Sequence, residues 1–361
     1  MEEQAKRRFA ALLTVLFGIA YFFLFPRPLH KVLDFDPVWA SALEAPSGQA
    51  LPSAGRGGHL HSFALGTSYG YFDTEGGLRY LAEKTFGVSL SDQGFAAYDR
   101  APASITWRDT SGVPRFVTKD PGYPFMAGGR RFLVAGNQAT ISEIGDSGEL
   151  IWKRDFPSIV TAFDANSRLA IFGTLDGHVI GIDARGKELF SFAPGGSRIE
   201  GIFGCCVSPD ARTLAVVAGL DRQRLVVLEL RDASYRVTYH RYLDSDFRRP
   251  VAMAFSKTGR EMLFEAPKGL GIYDVAGRVE HLVFVDEPSG LGAELAERNG
   301  LLILESGSKQ ALVLASPLGQ RLYAFDFSAA ESHLILEGDS VFLGLRRDDG
   351  SALLRLDFGE E

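Results

Sequence analysis

His178-Val-Ile-Gly-Ile-Asp-Ala-Arg-Gly-Lys-Glu-Leu-Phe-Ser-Phe192 holds two short apolar-alternating runs, Val179–Ile182 and Glu188–Phe192, separated by Asp183-Ala-Arg-Gly186. Alternation at period two marks strands with a buried face, and the separating residues explain the reversal between them. The Asp183 carboxylate is placed to accept a backbone N–H two residues on. Gly186 takes the positive φ that closes a tight turn. The pattern recurs at Tyr71-Phe-Asp-Thr-Glu-Gly76, Trp107-Arg-Asp-Thr-Ser-Gly112 and Ile272-Tyr-Asp-Val-Ala-Gly277. Looser copies stand at Ile144-Gly-Asp-Ser-Gly148, Ser316-Pro-Leu-Gly319 and Arg347-Asp-Asp-Gly350. A hairpin repeated from end to end marks a repeat architecture.

From His59 onward the chain reads as strands and turns without a long amphipathic helix. Apolar core strands fall at Phe63–Gly66, Gly94–Tyr98, Phe132–Gly136, Leu169–Gly173, Leu214–Gly219, Met262–Glu265, Leu301–Glu305 and Val341–Leu345. Their spacing averages about 40 residues, the length of one four-stranded blade. Small antiparallel sheets joined by tight turns each leave a face uncovered, and packing them radially covers those faces. The expected fold is therefore an all-β propeller of eight four-stranded blades, with seven as the alternative. The first unit reads as lacking its innermost strand, and the last, Ser332 to Phe358, shows three strands. A ring that closes by mixing strands from both termini in one sheet would reconcile the two.

Val207-Ser-Pro-Asp-Ala-Arg-Thr-Leu-Ala-Val-Val217 resembles the S-P-D-x-[RK]-x-L-x-V segment of WD40-like and lactonase-like propellers. Phe255-Ser-Lys-Thr-Gly-Arg-Glu-Met-Leu263 is a weaker copy. Gly177 to Phe190 is similar to the repeat of quinoprotein-like (PQQ-like) propellers, in which a tryptophan follows the turn. Trp152 supplies that tryptophan once, and Phe190 stands in its place in the next unit. The resemblance covers roughly residues 59 to 358 and implies a fold, since propellers host enzymes and scaffolds alike.

Ahead of the repeats, residues 1–8 carry Lys6, Arg7 and Arg8 and read as a short cytoplasmic tail. Residues 9–25 carry no charge, and about 17 apolar residues is the lower end of what spans a bilayer as a helix. Pro26 and Pro28 end the run. A cleaved signal peptide shares the basic start, but Phe23-Leu-Phe-Pro-Arg-Pro28 offers no small-x-small cleavage site. The expectation is a transmembrane anchor with the body on the periplasmic side, since three basic residues precede the span and Arg27 and Lys31 follow it. Residues 26–58 read as a linker, with a short helix over Val38–Ala45 capped by Asp36, followed by a flexible tether. The propeller is assigned to residues 59–361.

A net charge of −7 argues against a nucleic-acid partner, because phosphate binding needs a basic patch. The 2 cysteines, Cys205 and Cys206, are adjacent and form no disulfide framework. Quinone-dependent alcohol dehydrogenases, which share the propeller fold, carry an adjacent-cysteine disulfide beside the cofactor, so similarity would make the pair a cofactor floor. The alternative, which the residues favour, is that Ile202-Phe-Gly-Cys-Cys-Val-Ser208 is an inner strand in which small apolar Cys side chains pack. His59 and His61 have the spacing to meet one metal from a strand edge, yet no third ligand is identifiable, so they read as surface-strand residues. The acidic turn residues Asp73, Asp109, Asp146, Asp183 and Asp274 read as turn closures rather than calcium ligands. No Ser nucleophile elbow, zinc spacing or phosphate-cradling loop is present.

The densest polar and aromatic loop runs from Tyr239 to Arg249. Tyr239, Arg241, Tyr242, Phe247 and Arg248 are its candidate partner-binding residues, since Tyr and Arg are the usual hot-spot types. The functional expectation is a membrane-anchored, non-catalytic propeller that binds a protein of the cell envelope, without cofactor or metal. One concrete version resembles outer-membrane assembly lipoproteins of the quinoprotein-like class, although no lipobox cysteine follows the apolar run. A lactonase-like or quinone-dependent enzyme with its site in the central funnel is the alternative, and a ligand sensor is a third.

Overall fold

The structure is a computed structural model that describes residues 17, 33–43, 59–231, 234–284, 291–295, 301–305, 310–315 and 321–360. Strand β1 (Leu33–Leu43) comes first in the chain. One sheet holds β2 (Leu60–Leu65), β3 (Ser68–Asp73) and β4 (Leu78–Glu83). The next holds β5 (Gly87–Ser91), β6 (Gly94–Tyr98), β7 (Ile105–Arg108) and β8 (Pro114–Thr118). Then come β9 (Tyr123–Ala127), β10 (Arg130–Val134), β11 (Thr140–Ile144) and β12 (Leu150–Asp155). A fourth sheet has β13 (Val160–Ala165), β14 (Leu169–Thr174), β15 (Val179–Asp183) and β16 (Glu188–Phe192). The fifth has β17 (Ile202–Val207), β18 (Thr213–Ala218), β19 (Arg224–Arg231) and β20 (Ser234–Tyr242). The sixth has β21 (Met253–Phe255), β22 (Glu261–Ala266), β23 (Gly269–Asp274) and β24 (Val279–Phe284). The seventh has β25 (Leu291–Leu295), β26 (Leu301–Glu305), β27 (Gln310–Ala315) and β28 (Arg321–Phe327). In the eighth, β29 (Glu331–Glu337), β30 (Ser340–Arg347) and β31 (Gly350–Glu360) are joined by β1.

The expected all-β propeller of four-stranded blades is what these strands build. Among the described residues, seven sheets have four strands and the β2–β4 sheet has three. Burial explains the radial stacking. Every residue of β18 is buried, but the two sides of the strand serve different neighbours. Leu214, Val216 and Ala218 pack with Leu169 and Ile171 of the preceding blade. Ala215 and Val217 pack with Met262, Phe264 and Tyr273 of the following one. A period of two thus places alternate side chains in two different cores. The same sharing is seen at Phe132 with Ala170 and Phe172, and at Ala96 with Leu133. The first strands of the sheets face inward: β5 touches β9, β13 touches β17, and β17 touches β21.

The Asp–Gly turns at Asp73, Asp109 and Asp183 form as expected. Asp73 Oδ1 accepts the N–H groups of Glu75 and Gly77 at 3.1 and 2.8 Å. Asp183 Oδ1 does the same for Arg185 and Lys187 at 2.8 and 2.9 Å. Asp146 does not close its turn: it pairs with Arg131, and Glu149 accepts the Ser147 N–H in its place. In the Asp274 turn the positive φ falls on Arg278 instead of Gly277, and Ser316–Gly319 lies outside the described residues. The glycines meet a second demand besides positive φ. A Cβ on Gly76, Gly112, Gly148 or Gly186 would fall within 2.4 to 2.9 Å of Trp39, Tyr80, Phe116 or Trp152, respectively. Each of these turns therefore lies against an aromatic ring from the preceding sheet, which is the role Trp152 plays in its repeat.

The ring closes by mixing the termini, but with two corrections to the expected details. β1 lies within the stretch read as a linker, and the short helix expected from Asp36 is a strand there. Its partner, β31, is too distant in sequence for local propensity to reveal, and as the outermost strand it tolerates the exposed Asp36-Pro37 pair. Among the described residues, it is the outer strand of the β2–β4 sheet that is missing and not the inner one, since β2 touches the inner strands β29 and β5. Phe63, Leu65, Phe72 and Leu81 of this sheet share a core with Phe342 and Leu353 of the last. Trp39 and Leu43 of β1 pack against that core.

The propeller lies in the unit Phe35–Phe358; Met1–Asp34 with Gly359–Glu361 is a separate unit. The anchor assigned to residues 9–25 lies outside the described residues apart from Phe17, which is helical and exposed. Among the described residues no helix is long and apolar enough to cross a membrane.

Candidate functional site

β20 is the outer strand of its blade, and its alternation divides the loop residues singled out by sequence. Tyr239 and Arg241 turn toward the following blade. The Tyr239 ring lies 4.8 Å from that of Tyr273, its hydroxyl donates to Glu280 at 2.9 Å, and burial followed by the Glu280 carboxylate pushes its pKa up to about 12. Arg241 pairs with the other oxygen of Glu280 at 2.7 Å. Tyr242 turns the other way: its hydroxyl donates to the Gly196 carbonyl at 3.3 Å, and the Arg222 guanidinium sits 4.1 Å over its ring. Phe247 is a loop anchor. The fully buried Gln223 amide donates to its carbonyl at 2.7 Å and accepts its N–H at 3.2 Å. Arg248 is exposed. Of the five, only Tyr239 and Arg241 converge.

They converge on Glu280, which together with Arg241 lines a groove of about 340 Å³ between β20 and β24. Phe264, Leu243, Leu282 and Phe284 supply its apolar surface, and Phe284 is 64% exposed. Arg241, Glu280, Asp244, Lys268 and His281 supply charged and polar groups around it. Glu280 and Phe284 were not legible in the sequence, because they lie on a different repeat and join the loop only through blade stacking.

A second cavity, of about 440 Å³, opens along the inner strands of consecutive blades. Its lining is mostly apolar and includes Phe125, Phe163, Phe203, Val251 and Met253. The Thr161 hydroxyl at its wall donates to the Ile202 carbonyl at 2.6 Å. Cys205 also lines it, whereas Cys206 packs with Val217 and Met262 on the opposite face of β17. Both cysteines are free thiols, and burial pushes both pKa values far up. Strand alternation puts the two sulfurs on opposite faces of β17. Their packing matches the inner-strand reading.

Nearby on β13, Asp164 accepts the Val207 N–H of the next blade at 2.8 Å and the Ala165 N–H at 2.8 Å. Burial outweighs these bonds and raises its pKa to about 6. At the junction of the first and last sheets, His61 Nε2 lies 3.0 Å from Glu337 Oε2 and His59 Nδ1 lies 3.5 Å from Glu337 Oε1. The third metal-ligating group that the sequence did not supply is thus present in space.

The sequence profile of a family described as beta-propeller protein matches residues 1–358. A Treponema pallidum (strain Nichols) protein, described as uncharacterized, is 28% identical over 301 residues, covering 81% of this chain and 80% of that one. Among solved structures, BamB from Moraxella catarrhalis aligns with a TM-score of 0.57 at 15% identity, over 90% of this chain and 100% of that one. The computationally designed Ika8 protein aligns with a TM-score of 0.62 at 16% identity, over 88% of this chain and 98% of that one. These structural likenesses concern the fold.

Proposed function

The chain belongs to the beta-propeller protein family, and from that premise we propose that it is a non-catalytic scaffold binding a protein partner in the cell envelope. The observation that carries this reading is the β20–β24 groove, where an apolar floor with an exposed Phe284 is ringed by Arg241, Glu280, Asp244 and Lys268. An apolar centre within a polar rim is the usual anatomy of a protein interface, and the packed blades on either side hold it rigid. Residues 9–25 anchor the chain in the inner membrane, and the basic residues before them place the propeller in the periplasm. The net charge of −7 supports a protein rather than a nucleic-acid partner.

The test is a crosslinked pull-down from native membranes with the full-length chain. Phe284→Asp loses the partner, while Leu150→Asp, an exposed position on another blade, retains it. Equal recovery with both variants refutes the groove. A reporter fused at the C-terminus tests sidedness, and cytoplasmic reporter activity overturns the periplasmic assignment.

The cavity beside Cys205 favours a second reading, in which a small apolar ligand is held between the inner strands, as its size is that of a ligand pocket. A stoichiometric small molecule or quinone co-purifying with the chain would move the function there.

A further inference from the structure

Closure of the ring assembles a donor set that the partner groove does not use. His59 precedes β2, His61 lies within it, and Glu337 ends β29, so the cluster joins the first sheet to the last. The two imidazoles point the same way because they are two residues apart, and their ring centroids are 4.9 Å apart. The His61 ring is wedged between Phe342 and Phe72, with centroids 4.6 and 5.4 Å away, and its side chain is 3% exposed. That wedge fixes the nitrogen facing Glu337. His59 and Glu337 are 55% and 41% exposed, so both retain rotamer freedom and an approach from solvent.

One donor atom from each residue lies within 4.8 Å of the others. Bonds of about 2.1 Å in a tetrahedral site put the ligand atoms about 3.4 Å apart. Small rotations of the two exposed side chains cover the difference. Arg355, the neighbouring cation, is held by Asp357 through bonds of 2.9 and 3.1 Å.

We propose that His59, His61 and Glu337 bind one divalent transition-metal ion of the zinc class, which ties the first blade to the last. Two imidazoles and a carboxylate suit zinc and its neighbours, whereas calcium and magnesium prefer all-oxygen sites. Three protein ligands leave a fourth position to water. Without the ion, the His61 Nε2–H donates to Glu337, and on binding the metal takes that place while the proton resides on Nδ1.

The purified full-length chain, stripped with chelator in mild detergent, is titrated with Zn²⁺ alone by calorimetry and with Co²⁺ alone by visible absorption. The expected result is one ion per chain, a visible Co²⁺ band, and a rise in thermal midpoint with Zn²⁺. His59→Ala and Glu337→Gln each weaken binding by at least about tenfold and abolish the rise. His59 is exposed, so metal-free His59→Ala melts like the metal-free wild type, which separates lost ligation from misfolding. No Zn²⁺ uptake by the folded wild type overturns the site, as does stoichiometric uptake retained in both variants. Uptake without a rise in midpoint overturns the tie between blades.

Discussion

The indole N–H of Trp39 donates to the carbonyl oxygen of Thr74 at 3.1 Å, linking β1 to the β3–β4 turn of the sheet next to its own. The same indole packs at 6.2 Å on Phe72 and 6.1 Å on Phe342, one ring from each of those sheets. Arg355 of β31 donates to the same carbonyl at 3.2 Å. The closure is thus fastened by side chains on both strands of the β1–β31 pair.

Trp39→Ala removes the ring contacts and the hydrogen bond together. Because Trp39 is only partly buried, the expected cost is about 2–3 kcal/mol, below that of a fully buried tryptophan. Chemical denaturation measures it. A loss within about 0.5 kcal/mol would mean that closure is held elsewhere.

Arg130 and Glu143 form a two-bond pair at 2.7 and 2.6 Å, with both side chains almost wholly buried. Arg130 also reaches the Asn166 carbonyl of the next blade at 3.3 Å. Glu143→Leu leaves the guanidinium buried without its carboxylate and costs about 3–5 kcal/mol. Arg130→Met combined with Glu143→Leu recovers most of that loss, since neither charge then remains to be desolvated. Urea unfolding of both variants checks the contrast. A double variant as unstable as the single one would place the cost in packing.

Asp164 gives a pH dependence with a definite sign. Its pKa is about 6 in the fold against about 3.9 in an unfolded chain, so the folded state binds more protons between these values. The stability from this group is complete below about pH 4 and is lost as pH rises through 6. Asp164→Asn keeps an acceptor for the Val207 N–H but cannot ionise. The variant should therefore gain relative to wild type between pH 4 and pH 7, by at most about 3 kcal/mol, in paired melts. A constant difference across that range would assign the effect to geometry.

The turn at Asp183 separates two contributions. Asp183→Ala removes the acceptor of two backbone N–H groups in an exposed turn and costs about 1 kcal/mol. Gly186→Ala costs about 1–3 kcal/mol, because Gly186 has φ of 82° and its Cβ would fall 2.6 Å from Trp152. Trp152→Ala together with Gly186→Ala tests which demand dominates. If the cost of the alanine persists without the indole, backbone conformation is the cause.

What the sequence made legible is what neighbours decide. The Asp73, Asp109, Asp183 and Asp274 turns are local hydrogen-bond patterns, and the period-two strands between them carry their own signal. β1 was hidden because its strand character is set by β31. Glu337 was hidden for the same reason: 276 residues separate it from His61, and only closure of the ring brings them together. At the loop, Tyr239 and Tyr242 looked equivalent, but three positions on one strand put them on opposite faces. Glu280 and Phe284 carried no mark in the chain, since they acquire their neighbours through blade stacking.

The β1–β31 pairing also governs how the molecule comes into being. About 300 residues lie between the two strands, so a growing chain leaves the ribosome with β1 made and no partner to receive it. At about 5–20 residues per second that wait lasts roughly 15–60 seconds. Throughout it, Trp39 and the open flanks of the first and last sheets stay uncovered. The strand synthesised earliest among those described is therefore the last to be paired, and the nascent chain must be shielded until its end arrives.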